Sequence, residues 1–391
     1  MAVQTSGKYY TIALMSDRAL RLLASGFYGG YNMGDEAVLS GLLALMEAAG
    51  RPVDLTVLSG NPAFTRATYG IRALDRSIFR DAMRRAIALR QSDALVLGGG
   101  GLLQDISGRR GIRGTLGRTL SLARWASRYG VPLVFWAVGV GPLHYTSVPR
   151  VAEVLRRAAA LTVRDKASQA LLRLAGLEAE ILPDLAWALD LPERSGGQQL
   201  GISLRRWPGL DLHAVARGLR AVHGWFPGPI VFLPFERQDL EVGQTLQDLL
   251  GRDQVDVPPV LPTLPEIIDR YALCGAVIAM RLHAGLLAAA QGVPSLGLAY
   301  DTKVSELHDA LGPYGLWLPV ARAGEAPAAL LAALRDHSGW GVHLRLYASE
   351  QRRLAFAGAE RIFGLLEPRA RGTDPDRPGG CDDRLDVRPD A

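Results

Sequence analysis

Arg281-Leu-His283 stands where an apolar run, Ala276–Met280, gives way to a second apolar stretch ending at Gln291-Gly292. A junction from strand to helix aims backbone N–H groups and the positive end of the helix dipole at whatever lies beyond it, which suits an anion. Arg281 and His283 alternate about Leu282, so both can project from one side of the junction. His283 is the nearby residue that titrates around neutral pH, which makes it the candidate general acid/base. Arg205, in Ile202-Ser-Leu-Arg205-Arg206, and Lys303, in Tyr300-Asp-Thr-Lys303, follow two other apolar runs. With Arg281 they form an expected cluster of positive charge. Several cations at short range suit a small anionic ligand such as a phosphate.

Other segments able to carry chemistry come earlier. Ser25-Gly-Phe-Tyr-Gly-Gly-Tyr-Asn-Met-Gly-Asp-Glu36 follows the first apolar run and opens a helix. Its glycines permit positive φ and close backbone approach, and Asp35 is read as the N-cap. Asn32 and Glu36 are read as ligand contacts, against the plainer reading of a tight turn. The spacing is not G-x-G-x-x-G and the next strand lacks a suitably placed acid, so a dinucleotide is not expected. Gly98-Gly-Gly-Gly101 bares the backbone at another strand end, with Gly99 and Gly100 as candidate contacts. Arg109-Arg-Gly-Ile-Arg-Gly114 is either a solvated loop or a flap that grips a diphosphate. Gly139-Val-Gly-Pro142 closes a further strand on the same rim. Arg164, in Val163-Arg-Asp165, is a candidate ligand contact, or else half of a helix-capping ion pair.

The elements that position these residues are short apolar runs alternating with amphipathic segments, the pattern of β-α units around parallel sheets. Strands are predicted at Leu20–Ser25, Asp54–Leu58, Ala94–Gly98, Leu133–Val138, Leu161–Val163 and Glu180–Leu182. After a polar, Gly-rich linker at Pro192–Gln199 a second series runs through Leu200–Leu204, Ile230–Pro234, Ala276–Met280 and Pro294–Leu298. The expected fold is α/β, two Rossmann-like domains with a cleft between them, in the glycosyltransferase-B manner. The expected division is an N-terminal extension at 1–18, a first domain at 19–192, a second at 199–341, a bracing helix within 342–366 and a disordered tail at 367–391. Met15 is an alternative start of translation.

A chain of 391 residues is long enough for two domains with real cores. A formal charge of +5 is mild, and no nucleic-acid-binding motif is present, so nucleic acid is not an expected partner. The two cysteines, Cys274 in a stretch read as helical and Cys381 in the tail, suggest neither a disulfide framework nor a thiolate metal site. No ligand cluster for a metal is seen. No run reaches the ~20 apolar residues of a membrane span and the N-terminus lacks a signal-peptide pattern, so a cytoplasmic protein is expected. The segment Ile78–Leu89, read as a helix, carries Arg80, Arg84 and Arg85, with Arg90 just beyond, around an apolar stripe. It is either an ordinary docked helix or a surface resting on anionic lipid of the inner membrane.

Gly26-x-x-Gly29-x-x-Asn32-x-Gly34-Asp-Glu-Ala37, Gly98-Gly-Gly-Gly101, Val163-Arg-Asp165, Met280-Arg-Leu-His283 and Tyr300-Asp-x-Lys303, in this order, resemble the polysaccharide pyruvyl transferase family, and most of all its bacterial cell-wall branch, CsaB. The resemblance runs from about Leu20 to Leu366. It implies transfer of a pyruvyl group from phosphoenolpyruvate, a co-substrate rather than a cofactor, onto two hydroxyls of a sugar as a cyclic ketal. In the cell-wall branch the acceptor is an N-acetylmannosamine residue of a lipid-linked secondary cell-wall polymer precursor, and the product anchors surface-layer proteins. The resemblance also implies that Arg-Leu-His is the donor site. A nucleotide-sugar glycosyltransferase is the chief rival, though the segment His283–Gln291 lacks the acid such enzymes use to hold the donor ribose. A non-catalytic lectin or scaffold is a third reading, which leaves a titratable histidine among cations without a purpose.

Overall fold

A computed structural model of the chain describes residues 18–77, 81–105, 114–192, 197–336 and 339–366. The first sheet contains β1 Leu20–Ser25, β2 Val53–Ser59, β3 Arg72–Asp75, β4 Ala94–Gly98, β5 Leu133–Val138, β6 Ala160–Val163 and β7 Glu180–Ile181, in the spatial order β3-β2-β1-β4-β5-β6-β7. The second contains β8 Gln199–Ser203, β9 Ile230–Phe232, β10 Val255–Asp256, β11 Cys274–Ala279, β12 Ser295–Ala299 and β13 Leu316–Pro319, in the order β10-β9-β8-β11-β12-β13. Every pairing in both sheets is parallel. Helices cover both faces, which is why β4 and β5 are buried along their whole length and read as unbroken apolar runs.

Strand order reverses between β1 and β4, and again between β8 and β11. In open α/β sheets the crevice beyond the carboxyl ends of strands at such a reversal is the natural ligand site. The loops after β1 and β4 therefore face those after β8 and β11. Helix Met33–Glu47 docks the two halves: its first residue, Met33, donates its backbone N–H to the Phe235 carbonyl at 2.9 Å. Met33 and Ala37 lie in the core built on the second sheet, while Val38, Leu42 and Leu45 lie in that of the first. Helix Trp340–Gly364 spans the same two cores. Leu344 sits in the second, and Phe363 meets Trp136 edge-on at 5.6 Å in the first. Each such large apolar side chain contributes about 1.5–3 kcal/mol when fully buried.

Some elements depart from expectation. β3, β10 and β13 are short edge strands, and the charged ends of Arg72-Ala-Leu-Asp75 hide the first of them. Helix Pro62–Tyr69 has clear punctuation, an Asn61 cap, proline in its first turn and Gly70 left-handed at its end. Cys274 is not helical; it opens β11, buried, with its thiol pushed up to about 12 by burial. Helix Ala82–Gln91 replaces the expected Ile78–Leu89. Met15, Arg80, the segment Arg109–Arg113 and the tail from Glu367 lie outside the described residues.

Candidate active site

A cavity of 390 Å³ opens between the two sheets. Its C-terminal wall carries Arg205 after β8, Arg281, Leu282 and His283 after β11, and Lys303 after β12. Its N-terminal wall carries Asn32 and Asp35 after β1, Gly100 and Gly101 after β4, Gly139 to Gly141 after β5, and Arg164 after β6. Glu36 and Gly99, expected as contacts, are not in this lining. Glu36 is buried and turned away, accepting from the Gly29 backbone N–H at 2.9 Å and from the Tyr69 hydroxyl at 2.8 Å, so it fixes the loop and reaches no ligand. Gly99 has φ +66°, and a Cβ there would lie 2.0 Å from Val38 Cγ1. Glycine is needed at Gly99 for close packing against a helix. Asp35 is not the N-cap either: Asn32 is, its Oδ1 accepting from the Gly34 N–H at 2.9 Å. The Asn32 amide also donates to Glu236 Oε1 at 2.6 Å, a link across the cleft.

The three expected cations, Arg205, Arg281 and Lys303, all line the cavity, and two of them are paired with carboxylates. Arg281 is buried and held by two carboxylates, Glu236 Oε2 at 2.8 Å and Asp239 Oδ1 at 2.5 Å. Burial opposes its charge, and the two carboxylates more than restore it. Its fixed charge is thus neutralised locally, and its side chain is a strut under the junction. Lys303 sits 3.2 Å from Asp301. Arg205 differs. It donates to the Tyr300 hydroxyl at 3.2 Å, lies near the rings of Trp207 and Tyr300, and has its Nε buried without a hydrogen bond. Among the described residues no carboxylate lies within ion-pair distance of Arg205. The helix Leu282–Ala290 begins beside it with no side-chain cap, which leaves the N–H groups of Leu282 and His283, both in the cavity lining, without a helical partner.

His283 stands in that first turn. Its Nε2 lies 3.7 Å from Asp184 Oδ2, long for a hydrogen bond and close enough for charge attraction. Asp184 accepts from Arg164 Nη1 at 3.0 Å and from the Ala186 N–H at 3.1 Å. Burial alone raises an acid, yet His283, Arg164 and that N–H hold Asp184 well below the usual carboxylate range. The other face of the imidazole rests on Gly34, where a Cβ would lie 2.3 Å from Nδ1. The glycine before Asp35 is what admits the ring. Arg164 lines the cavity and also pairs with Asp165, which caps helix Lys166–Leu174 by accepting from Ser168 N–H at 2.7 Å.

Three cleft residues escaped the sequence reading. Asp35 faces the cavity with its carboxyl pushed up to about 6, first by burial and also by Glu36 and Glu236, with His283 pulling the other way. Arg76 follows β3, a strand too short to be foreseen. Glu306, on helix Thr302–Ala310, brings a carboxylate to the C-terminal wall, its Oε2 buried without a hydrogen bond. Their signal was position at a strand end or in the first turns of a helix beyond one. Among the described residues no group of three or more His, Cys, Asp or Glu is placed to hold a metal ion.

Solved structures of similar shape include the UDP-GlcNAc 2-epimerase of Neisseria meningitidis bound to UDP-GlcNAc, at 11% identity and TM-score 0.57 over 88% of this chain and 99% of that one. HepE of Anabaena in complex with UDP-glucose gives 11% identity and TM-score 0.59 over 88% and 98%. These likenesses show the two-domain glycosyltransferase-B type of fold. No curated protein matches the sequence. Residues 32–302 match the polysaccharide pyruvyl transferase family.

Proposed function

The chain belongs to the polysaccharide pyruvyl transferase family, and on that premise we propose how its cleft carries out the transfer of a pyruvyl group onto polysaccharide. The donor is phosphoenolpyruvate. Arg205, Lys303 and the uncapped helix start at Leu282 and His283 hold its phosphate and carboxylate, and Arg281 keeps that helix start in place. His283 gives a proton to C3 of the enol while a sugar hydroxyl adds to C2 and passes its proton to Asp35. The C2–O bond to phosphate then breaks, the phosphate leaves, and the second hydroxyl closes the ketal as its proton passes to the His283 imidazole left neutral by the first step. Acid–base help of this kind is worth roughly 10²–10⁴-fold. Arg205 stabilises the charge that grows on the leaving phosphate.

One observation supports the reading above the rest: Arg205, a cation with no carboxylate partner among the described residues, shares a cavity with His283 and, across the cleft, with Asp35. The acceptor we favour is an N-acetylmannosamine residue of a lipid-linked secondary cell-wall polymer precursor, whose product anchors surface-layer proteins. That places the enzyme at the cytoplasmic face of the membrane. Among the described residues no helix is long and apolar enough to cross one. In helix Ala82–Gln91, Met83, Arg84 and Ile87 are exposed for peripheral contact with anionic lipid, whereas Arg85 is half-buried and faces a second cavity. Incubation with phosphoenolpyruvate and a lipid-linked disaccharide, followed by mass spectrometry, should show the pyruvyl increment; an unchanged acceptor contradicts the reading.

Glu306 favours one second reading, a nucleotide-sugar glycosyltransferase, because a carboxylate on the C-terminal wall suits a donor ribose. Thermal-shift measurements separate the two. Phosphoenolpyruvate should raise the melting temperature and UDP-sugars should not.

A further inference from the structure

Beside the main cavity lies a smaller one of 130 Å³, which shares Phe27 and Arg76 with it. Its walls carry Arg76, Arg85 and Arg118, with the hydroxyls of Thr115, Thr119 and Ser121. Arg76 forms the neck between the two spaces. Its guanidinium is held below the usual arginine range, first by burial and next by Arg118, against the weaker pull of Asp35, Asp75 and Glu36. Among the described residues no carboxylate lies within ion-pair distance of Arg76. Arg118 stands in the first turn of helix Thr115–Arg128 and donates to Thr115 Oγ1 at 3.3 Å. Arg85 comes from helix Ala82–Gln91 and donates to the Ser77 carbonyl. Three elements thus bring arginines to one cavity, with Arg76 and Arg85 half-buried and Arg118 exposed. A bound anion would offset the repulsion between Arg76 and Arg118.

We propose that this second cavity is an anion subsite for a phosphate or diphosphate group attached to the acceptor, held chiefly by Arg118 and Arg76. The word acceptor rests on the transferase reading; the anion site itself does not. A phosphate held at the neck places the sugar bonded to it in the main cavity, on the side where Asp35 lies. The subsite thereby selects acceptors linked through phosphate over free sugars and fixes which sugar of the chain is presented.

The test uses the full chain saturated with phosphoenolpyruvate, so that the donor region is filled, and titrates inorganic pyrophosphate by calorimetry. The expected result is one equivalent bound. Arg118→Ala should weaken that binding at least tenfold and leave phosphoenolpyruvate affinity within twofold, since Arg118 lines only the smaller cavity. Arg85→Ala, a second variant on a different helix, should weaken it by a smaller factor. In turnover, Arg118→Ala should raise KM for a diphosphate-linked sugar and leave KM for the same sugar as a simple alkyl glycoside unchanged. Absence of pyrophosphate binding to the saturated wild type, or equal binding to Arg118→Ala, overturns the subsite. Binding that Arg118→Ala abolishes in a protein that transfers no pyruvyl group would keep the subsite and overturn the transferase mechanism instead.

Discussion

The two walls of the cleft stand at the same topological position, a reversal of strand order, yet they present different chemistry. The C-terminal wall offers side chains: Arg205, His283 and Lys303 project from strand ends and first helical turns. The N-terminal wall offers bare backbone at Gly100, Gly101 and Gly139, plus two groups whose charge the protein leaves poorly compensated, Asp35 and Arg76. On the proposed reading, the wall of side chains grips the small donor and the wall of bare backbone leaves room for the acceptor. The same contrast exists within the C-terminal wall, between Arg281, locked by Glu236 and Asp239, and Arg205, which no carboxylate among the described residues holds within ion-pair distance.

The sharpest way to break this account is His283→Ala. Turnover should fall by roughly 10²–10⁴-fold while phosphoenolpyruvate binding, read by calorimetry, stays within a few-fold. A variant with ordinary turnover would remove the proton-donor role. The two arginines should then part company. Arg281→Ala leaves the buried Asp239 and the half-buried Glu236 without their cation and should cost about 3–5 kcal/mol of stability in denaturant unfolding. Arg205→Ala should leave that stability nearly unchanged and raise KM for phosphoenolpyruvate by about 10–100-fold, the loss of one charged hydrogen bond at about 1.5–3 kcal/mol. Matching stability losses in both would erase the distinction between strut and ligand.

Asp35→Asn sharpens the other wall. A folded-state value of about 6 against 3.8 when unfolded means that the folded chain binds the proton more tightly. Stability is therefore lost as pH rises from about 4 to about 6, and the deficit is complete above that window. The asparagine variant lacks the deficit and should be more stable at pH 8 by on the order of 1–3 kcal/mol, with little difference near pH 3. Its turnover should drop, and the acid-side fall of the wild-type rate profile near pH 6 should vanish from the residual rate. The smallest effect expected is from Gly34→Ala, whose methyl displaces the His283 ring and should lower kcat several-fold at unchanged phosphoenolpyruvate affinity.

The alternation of apolar runs with amphipathic segments made the central strands legible, because β1, β4, β5 and β11 are buried on both faces and tolerate little but apolar residues. The edge strands β3, β10 and β13 were not, since short, partly exposed strands carry charges that break the pattern. Arg281-Leu-His283 could be placed at the cleft because a strand-to-helix junction is a local event. Its charge balance could not: Asp239 lies 42 positions away and its pairing with Arg281 is decided by tertiary packing. Glu36 and Asp35 show the same limit. One residue of offset along a helix start decides which carboxylate points into the cavity and which ties down the preceding loop.

The most direct test of the central claim is to run the reaction in heavy water with phosphoenolpyruvate and a lipid-linked disaccharide and examine the product by mass spectrometry. The account predicts an acceptor that gains one pyruvyl ketal whose methyl group carries a single solvent deuteron, and no such product from His283→Ala. A ketal without solvent deuterium, or a sugar transferred from a UDP-sugar in its place, would contradict it.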